Sequence, residues 1–91
     1  MKKVYGVLSI LMLFATITIN AAVTYPSVGG VWSYGVGPIG SYSEYMHPTR
    51  YHSSTVVASN GVGDKKFAPA GMWSQARVLY YSGCSFYYAI E

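Results

Sequence analysis

The chain has 91 residues, of which 52% are hydrophobic and 10% are charged, with a formal net charge of +3. One cysteine and two histidines exclude an internal disulfide framework and a cysteine-rich zinc site. Only three carboxylates are present, which leaves almost nothing for a carboxylate pair or a catalytic triad. We therefore expect no enzyme, no cofactor and no bound metal.

The first 21 residues have the pattern of a secretory signal peptide. Lys2 and Lys3 precede a long uncharged apolar run, and small residues follow at Ala21 and Ala22. We expect a signal helix that is cleaved after Ala21, or one residue later. The apolar run is short for a membrane span of about 20 residues, so we expect no permanent membrane anchor after cleavage, although an uncleaved anchor is the alternative. After cleavage, the chain would contain four Lys and Arg and three Asp and Glu. The resulting net charge of +1 does not favour nucleic acid as a partner.

The remaining chain has the pattern of a small all-β domain. Residues 22–30 contain proline and a glycine pair and are expected to form a flexible leader. From residue 31 onward, apolar residues recur with a period of two between Gly or Pro turns, which is typical of strands. The predicted strands are residues 31–36, 41–46, 51–58, 71–80 and 84–90, and residues 59–69 are predicted to be the longest loop. We expect residues 31–91 to form an antiparallel β-sandwich of about five to six strands, with a small barrel as the alternative.

Aromatic residues are the main candidates for the core. Trp32 and Trp73 each stand at the centre of an alternating strand, and Phe86 and Tyr88 share one face of the last strand. A domain of this size without disulfides needs most of its aromatic area buried. We expect all four side chains to lie in the core, with Trp73→Ala costing about 3–5 kcal/mol of stability.

The hydroxyl side chains on the predicted strands allow two interpretations. They either face water on the outer side of a sheet, which we favour, or bind an extended polar ligand. These residues are Ser41, Ser43, Ser53, Ser54 and Thr55.

Cys84 also has two interpretations. It is either a small buried hydrophobic residue at the start of the last strand or a partner in an intermolecular disulfide.

Five segments, taken in order, resemble the lactococcin 972 family of bacteriocins. They are residues 32–37 (WSYGVG), 41–47 (SYSEYMH), 52–57 (HSSTVV), 70–76 (AGMWSQA) and 85–88 (SFYY). The resemblance covers nearly the whole predicted domain, although Cys84 is not part of the family pattern.

The resemblance implies a secreted, unmodified bacterial peptide that folds as a β-sandwich. It further implies that the protein binds the cell-wall precursor lipid II, blocks septum formation in neighbouring Gram-positive bacteria without forming pores, and acts as a homodimer.

A lipid II site would have to recognise a pyrophosphate, sugars and a short peptide. Arg50 is the preferred candidate for the phosphates, since a guanidinium can meet phosphate oxygens in pairs. Aromatic and imidazole side chains flank it in sequence and could contact the rest of the ligand: Tyr45, His47, Tyr51 and His52. The two histidines lack a third nearby metal ligand, which argues against a metal site.

The alternative function comes from a different class of protein. A near-neutral, tyrosine-rich sheet could serve as a secreted structural or adhesion module that self-associates through its strand edges.

Overall fold

The computed structural model describes residues 20–91 of the chain. The predicted signal helix therefore lies outside the described residues, apart from the last two positions of the signal segment.

The described chain folds into seven β-strands. They are β1 (Asn20–Thr24), β2 (Val31–Gly37), β3 (Gly40–Met46), β4 (His52–Ala58), β5 (Gly63–Ala68), β6 (Trp73–Val78) and β7 (Cys84–Ile90). All neighbouring strands are antiparallel, in one sheet of order β1-β2-β3-β6 and a second of order β5-β4-β7. The prediction of a small all-β sandwich is confirmed. Within residues 20–91 there is no helix that is long and apolar enough to cross a membrane.

Two strands go beyond those predicted, and the first is β5. The prediction of a loop over residues 59–69 is wrong for Gly63–Ala68, which pairs with β4 from Ala68 opposite His52 to Gly63 opposite Val57. The charged run at residues 64–66 suggested a solvated loop tip. Strands pair through the main chain, however, and lysine on an edge strand is a common feature of natural sheets.

The second additional strand is β1, which contains the first three residues of the predicted leader. Ala22 to Thr24 pair with Tyr34 to Trp32 of β2. The rest of the leader makes a turn, in which the Gly29 N–H donates to the Pro26 carbonyl at 2.9 Å. The flexibility of this segment stays a prediction.

One half of the core is aromatic and lies between β2, β3 and β7. The ring centroid of Trp32 is 4.2 Å from that of Tyr34 and 4.8 Å from that of Tyr88. The ring centroid of Tyr34 lies 5.3 Å from that of Phe86, and the ring centroid of Tyr88 lies 4.9 Å from that of Tyr45. Tilted pairs at these distances stabilise a core beyond the area that they bury. Burial raises the pKa of the Tyr34 phenol.

The other half of the core is made of small side chains where β4 packs against β6. Val56 of β4 and Ala76 and Val78 of β6 form a buried cluster, and Cys84 packs against it while partly buried. Cys84 thus contributes to the core as a small hydrophobic side chain.

Serine hydroxyls link the two sheets. The expectation that these side chains face water is wrong for all four serines, Ser41, Ser43, Ser53 and Ser54, which are at most 1% exposed. The Trp32 indole N–H donates to the Ser43 hydroxyl at 3.0 Å, and Ser43 donates to the Tyr87 carbonyl at 2.9 Å. Ser54 donates to the Ser74 carbonyl, also at 2.9 Å. Every buried side-chain nitrogen and oxygen among the described residues has a hydrogen-bond partner. The hydroxyls are therefore satisfied core groups.

The prediction that Trp73 lies in the core is wrong. Trp73 is 44% exposed, whereas Trp32 is 7% exposed. The alternation along β6 is present, but its buried face carries the small residues Ser74, Ala76 and Val78. At Ser74, β6 approaches β4 within hydrogen-bond distance, which leaves no room for an indole.

Truncating the two tryptophans should therefore have unequal effects. We expect Trp32→Ala to cost about 3–5 kcal/mol, because it removes a buried ring and the indole donor. Trp73→Ala should cost about 1 kcal/mol, as for a partly exposed side chain. Urea denaturation measures both, and equal losses would contradict the assignment of faces.

Asp64 joins the edges of the two sheets where β5 lies beside β6. Its carboxylate accepts the Arg77 main-chain N–H at 2.9 Å and the Lys66 ammonium at 2.6 Å. Burial favours the neutral acid, but the hydrogen bonds and the charge of Lys66 outweigh it and hold the pKa of Asp64 below its ordinary value of 3.8.

Asp64→Asn tests this contact, because asparagine keeps an acceptor for the Arg77 N–H and removes only the charge. We expect a loss of about 0.5–1 kcal/mol at neutral pH, where the partly exposed ion pair is intact. The folded-state pKa is depressed, so the stabilisation is complete above about pH 4 and is lost as the pH falls through the folded-state value. Unfolding curves of both proteins across this range should converge in acid. A constant difference would contradict the contact.

Candidate functional site

Three segments and the last residue converge at one end of the sandwich, where β2, β4 and β6 begin. The segments are residues 25–30, 47–51 and 69–72, and the last residue is Glu91. Two buried histidines hold these segments together, so we call this part of the molecule the histidine end. The opposite end, formed by residues 38–39, 59–62 and 79–83, is called the loop end.

His47 is buried and holds the segment before β2 against the turn after β3. Its Nδ1 accepts the main-chain N–H groups of Thr49 at 3.2 Å and Arg50 at 3.1 Å. With that nitrogen acting as acceptor, Nε2 carries the proton and donates to the Val28 carbonyl at 2.9 Å. A Cβ atom on Gly29, whose φ is +108°, would stand 2.8 Å from Nε2, so only glycine allows this approach.

His52 is wholly buried and joins the second segment to the third. Its Nδ1 lies 2.7 Å from the Arg50 carbonyl oxygen, and its Nε2 lies 2.8 Å from the Met72 carbonyl oxygen. Carbonyl oxygens only accept, so a neutral ring satisfies one of them and an imidazolium satisfies both. The His52 ring thus lies between two main-chain segments and links the Arg50 carbonyl to the Met72 carbonyl.

Tyr45 is the third buried side chain that holds the histidine end together. Its ring packs edge-on against His52, with centroids 5.3 Å apart, and its hydroxyl donates to the Gly29 carbonyl at 2.7 Å. Burial raises the pKa of the Tyr45 phenol, and the neighbouring Tyr88 raises it further. The phenol is therefore a neutral donor at physiological pH.

The exposed side chains of this end are mostly apolar or aromatic. Met72 is 59% exposed and Tyr51 is 52% exposed, and the exposed Trp73 follows Met72 in the chain. Tyr51 stacks on Phe67, with ring centroids 5.8 Å apart and an interplanar angle of 10°. The Lys65 ammonium lies 5.0 Å from the Phe67 centroid.

Arg50 is the one cation of the described chain without a carboxylate partner. Residues 20–91 contain four Lys and Arg and three Asp and Glu. The three acids pair with Lys65 (Glu91, 3.7 Å), Lys66 (Asp64, 2.6 Å) and Arg77 (Glu44, 3.8 Å). The net charge of +1 is therefore located on the exposed Arg50.

The five predicted ligand-binding residues separate into two groups. Arg50 and Tyr51 are exposed and remain candidates for ligand contact. Tyr45 and His52 are 0% exposed and His47 is nearly so, which means that they cannot touch an external ligand in this structure. They act instead as positioning residues, because their polar atoms hold the exposed segments.

Sequence reasoning missed Met72 and Trp73 as surface residues of the same end. The alternation in β6 was visible, but only the tight packing of Ser74 shows which face points outward.

A shallow groove of about 660 Å³ lies near the loop end, between β5 and β6. Its charged side chains, Asp64, Lys66 and Arg77, are already paired with one another or with Glu44, so it offers no free charge to a ligand. Among residues 20–91, no three His, Cys, Asp or Glu side chains come together as metal ligands.

Comparison with known proteins agrees with this fold. The family model for "Bacteriocin (Lactococcin_972)" matches residues 28–88. A solved structure of lactococcin 972 is 39% identical and superposes with a TM-score of 0.56, covering 68% of this chain and 98% of its own. None of the curated proteins compared matches the chain.

The fold and these matches define a small all-β bacteriocin, a class whose members are generally secreted. The chain belongs to the lactococcin 972 family. The matched residues begin at Val28, the acceptor for His47, and include the turn after β3 and the loop before β6.

Removing the His52 ring should loosen the histidine end. We expect His52→Leu to cost about 1–3 kcal/mol, since it removes the ring that links the Arg50 and Met72 carbonyls. Urea denaturation measures the loss, and amide exchange at residues 49–51 and 71–73 should accelerate. Tyr51→Leu, at an exposed neighbour, should cost less than about 1 kcal/mol. Unchanged stability with unaltered loop exchange would show that the ring does not hold these segments.

Proposed function

We propose that this chain is a secreted, non-enzymatic bacteriocin that interferes with cell-wall and septum synthesis in neighbouring Gram-positive bacteria by binding lipid II at its histidine end. Family membership supports bacteriocin action, and the scarcity of acids and bases supports action without catalysis. Export would use residues 1–21 as a Sec-type signal peptide.

The observation that carries the proposed site is the unpaired charge of Arg50. Lipid II presents a pyrophosphate, and a guanidinium can bind its oxygens through two parallel hydrogen bonds. The other cations of the described chain would first have to give up a carboxylate partner.

The surroundings of Arg50 suit the rest of such a ligand. Tyr51 offers an exposed aromatic ring with a hydroxyl, which is the type of side chain that stacks on sugars. The main chain that carries both residues is fixed by His47 and His52, so binding would require little ordering of the loop.

Arg50→Ala tests the site, with Arg77→Ala as the matched control. Alanine keeps the main-chain N–H that His47 needs, so the fold should persist. We expect Arg50→Ala to weaken growth inhibition, and retention on lipid II-containing membranes, by about tenfold or more, the value of a lost charge-assisted pair. Arg77→Ala, which removes a cation already paired with Glu44, should retain both properties.

Undiminished killing by a correctly folded Arg50→Ala protein would refute the assignment of the site. Killing without any retention on lipid II would refute the proposed target while leaving the bacteriocin class intact.

Self-association is the second candidate function, either as a homodimer or as an adhesion module. It is favoured by β1 and β7, each of which ends a sheet and has a neighbouring strand on only one side. Light scattering over a concentration series separates the candidates: growing assemblies without killing favour the adhesion module, and a dimer that kills favours the bacteriocin.

A further inference from the structure

We propose that the histidine end docks on the surface of an anionic lipid bilayer, with Met72 and Trp73 in the interfacial region and Arg50 against lipid phosphates. The inference goes beyond the proposed function, because it requires no lipid II.

The side chains at this end have the composition of a membrane-interface contact. Val28, Tyr51, Met72 and Trp73 come from three segments and one strand end, and all are substantially exposed. Tryptophan and tyrosine favour the headgroup level of a bilayer, where an apolar ring and a polar tip are both satisfied. Exposed methionine and valine add apolar area without charge.

The docking surface is held in place before any contact forms. His52 fixes the Arg50 and Met72 carbonyls on two sides of one ring, and His47 fixes Val28 to the same turn. Docking therefore orders few main-chain torsions, so more of the contact free energy appears as affinity.

Electrostatics identifies the occupant as an anionic surface. Arg50 carries the unneutralised charge of the described chain. The acidic side chain at this end, Glu91, lies 3.7 Å from the Lys65 ammonium and accepts a hydrogen bond from Ser53. A surface that combines one free cation with several exposed apolar side chains matches lipid phosphates above hydrocarbon.

The loop end supplies the comparison within the same molecule. It also exposes apolar side chains, such as Ile39, Leu79 and Tyr81, but its three segments contain no charged residue. The loop end therefore has no charged side chain to meet lipid phosphates, and its most exposed large apolar side chain, Leu79, serves as the control.

The experiment uses vesicles of phosphatidylcholine mixed with phosphatidylglycerol, free of lipid II, and the secreted protein with a single tryptophan. In Trp32→Phe, the emission of the exposed Trp73 should shift to the blue on adding vesicles. In Trp73→Phe, the buried Trp32 should show no shift and thus report that the fold is unchanged.

Sedimentation with the same vesicles measures affinity for the variants. We expect Trp73→Ser to weaken binding about tenfold and Arg50→Gln about fivefold, the latter only when phosphatidylglycerol is present. Leu79→Ser should bind as the parent does, and added salt should weaken the parent.

Three results would overturn the inference. They are the absence of a Trp73 shift on anionic vesicles, an equal loss in Leu79→Ser and Trp73→Ser, and binding that appears only when lipid II is added. The last result would leave the proposed function standing, whereas vesicle binding by a protein that does not recognise lipid II would leave this inference standing.

Discussion

The hydrogen bonds of serine hydroxyls between the two sheets are the constraint on which the rest of the structure depends. Where Ser54 reaches the Ser74 carbonyl, β4 and β6 approach closely, and only small side chains fit between them. Most of the large rings consequently lie in the other half of the core, between β2, β3 and β7, and Phe86 contacts both halves. Since hydroxyls placed between sheets must be satisfied, these serines favour the alignment of the two sheets in which Ser43 meets the Tyr87 carbonyl and Ser54 meets the Ser74 carbonyl.

The same constraint decides which aromatic residues remain for the surface. Trp73 is the first residue of β6, whose buried face carries the small side chains of Ser74, Ala76 and Val78. The indole therefore lies on the exposed face. Tyr51 and Met72 lie in segments fixed by His52 and are exposed as well. The Tyr51 and Trp73 rings are thus left substantially exposed at the end of the molecule that also carries the free charge of Arg50.

Much of the fold could be predicted from the sequence, because strand alternation and Gly or Pro turns are local signals. Five strands were predicted from such signals, and the ends of β7 were predicted to the residue. Which face of a strand is buried does not follow from local signals. Ser43 was expected to face water and is buried, whereas Trp73 was expected to be buried and is exposed, because hydrogen bonding between the sheets outweighs hydrophobicity at these positions. The sequence shows that both histidines lie close to Arg50 along the chain, but it does not show that both ring nitrogens of His52 face main-chain carbonyls.

The strand order has a consequence for when the protein can fold. The central strand β4 pairs with β7, the last strand of the chain, and β3 pairs with β6. The Ser43 hydroxyl likewise finds its acceptor 44 residues further on, at Tyr87. Neither sheet can be completed while the final 20 or so residues are still missing, and topologies dominated by such distant pairings fold slowly. Until β6 and β7 are present, the hydroxyls of Ser43 and Ser54 have no acceptor on the opposite sheet, so the earlier strands cannot form the contacts that join the two sheets.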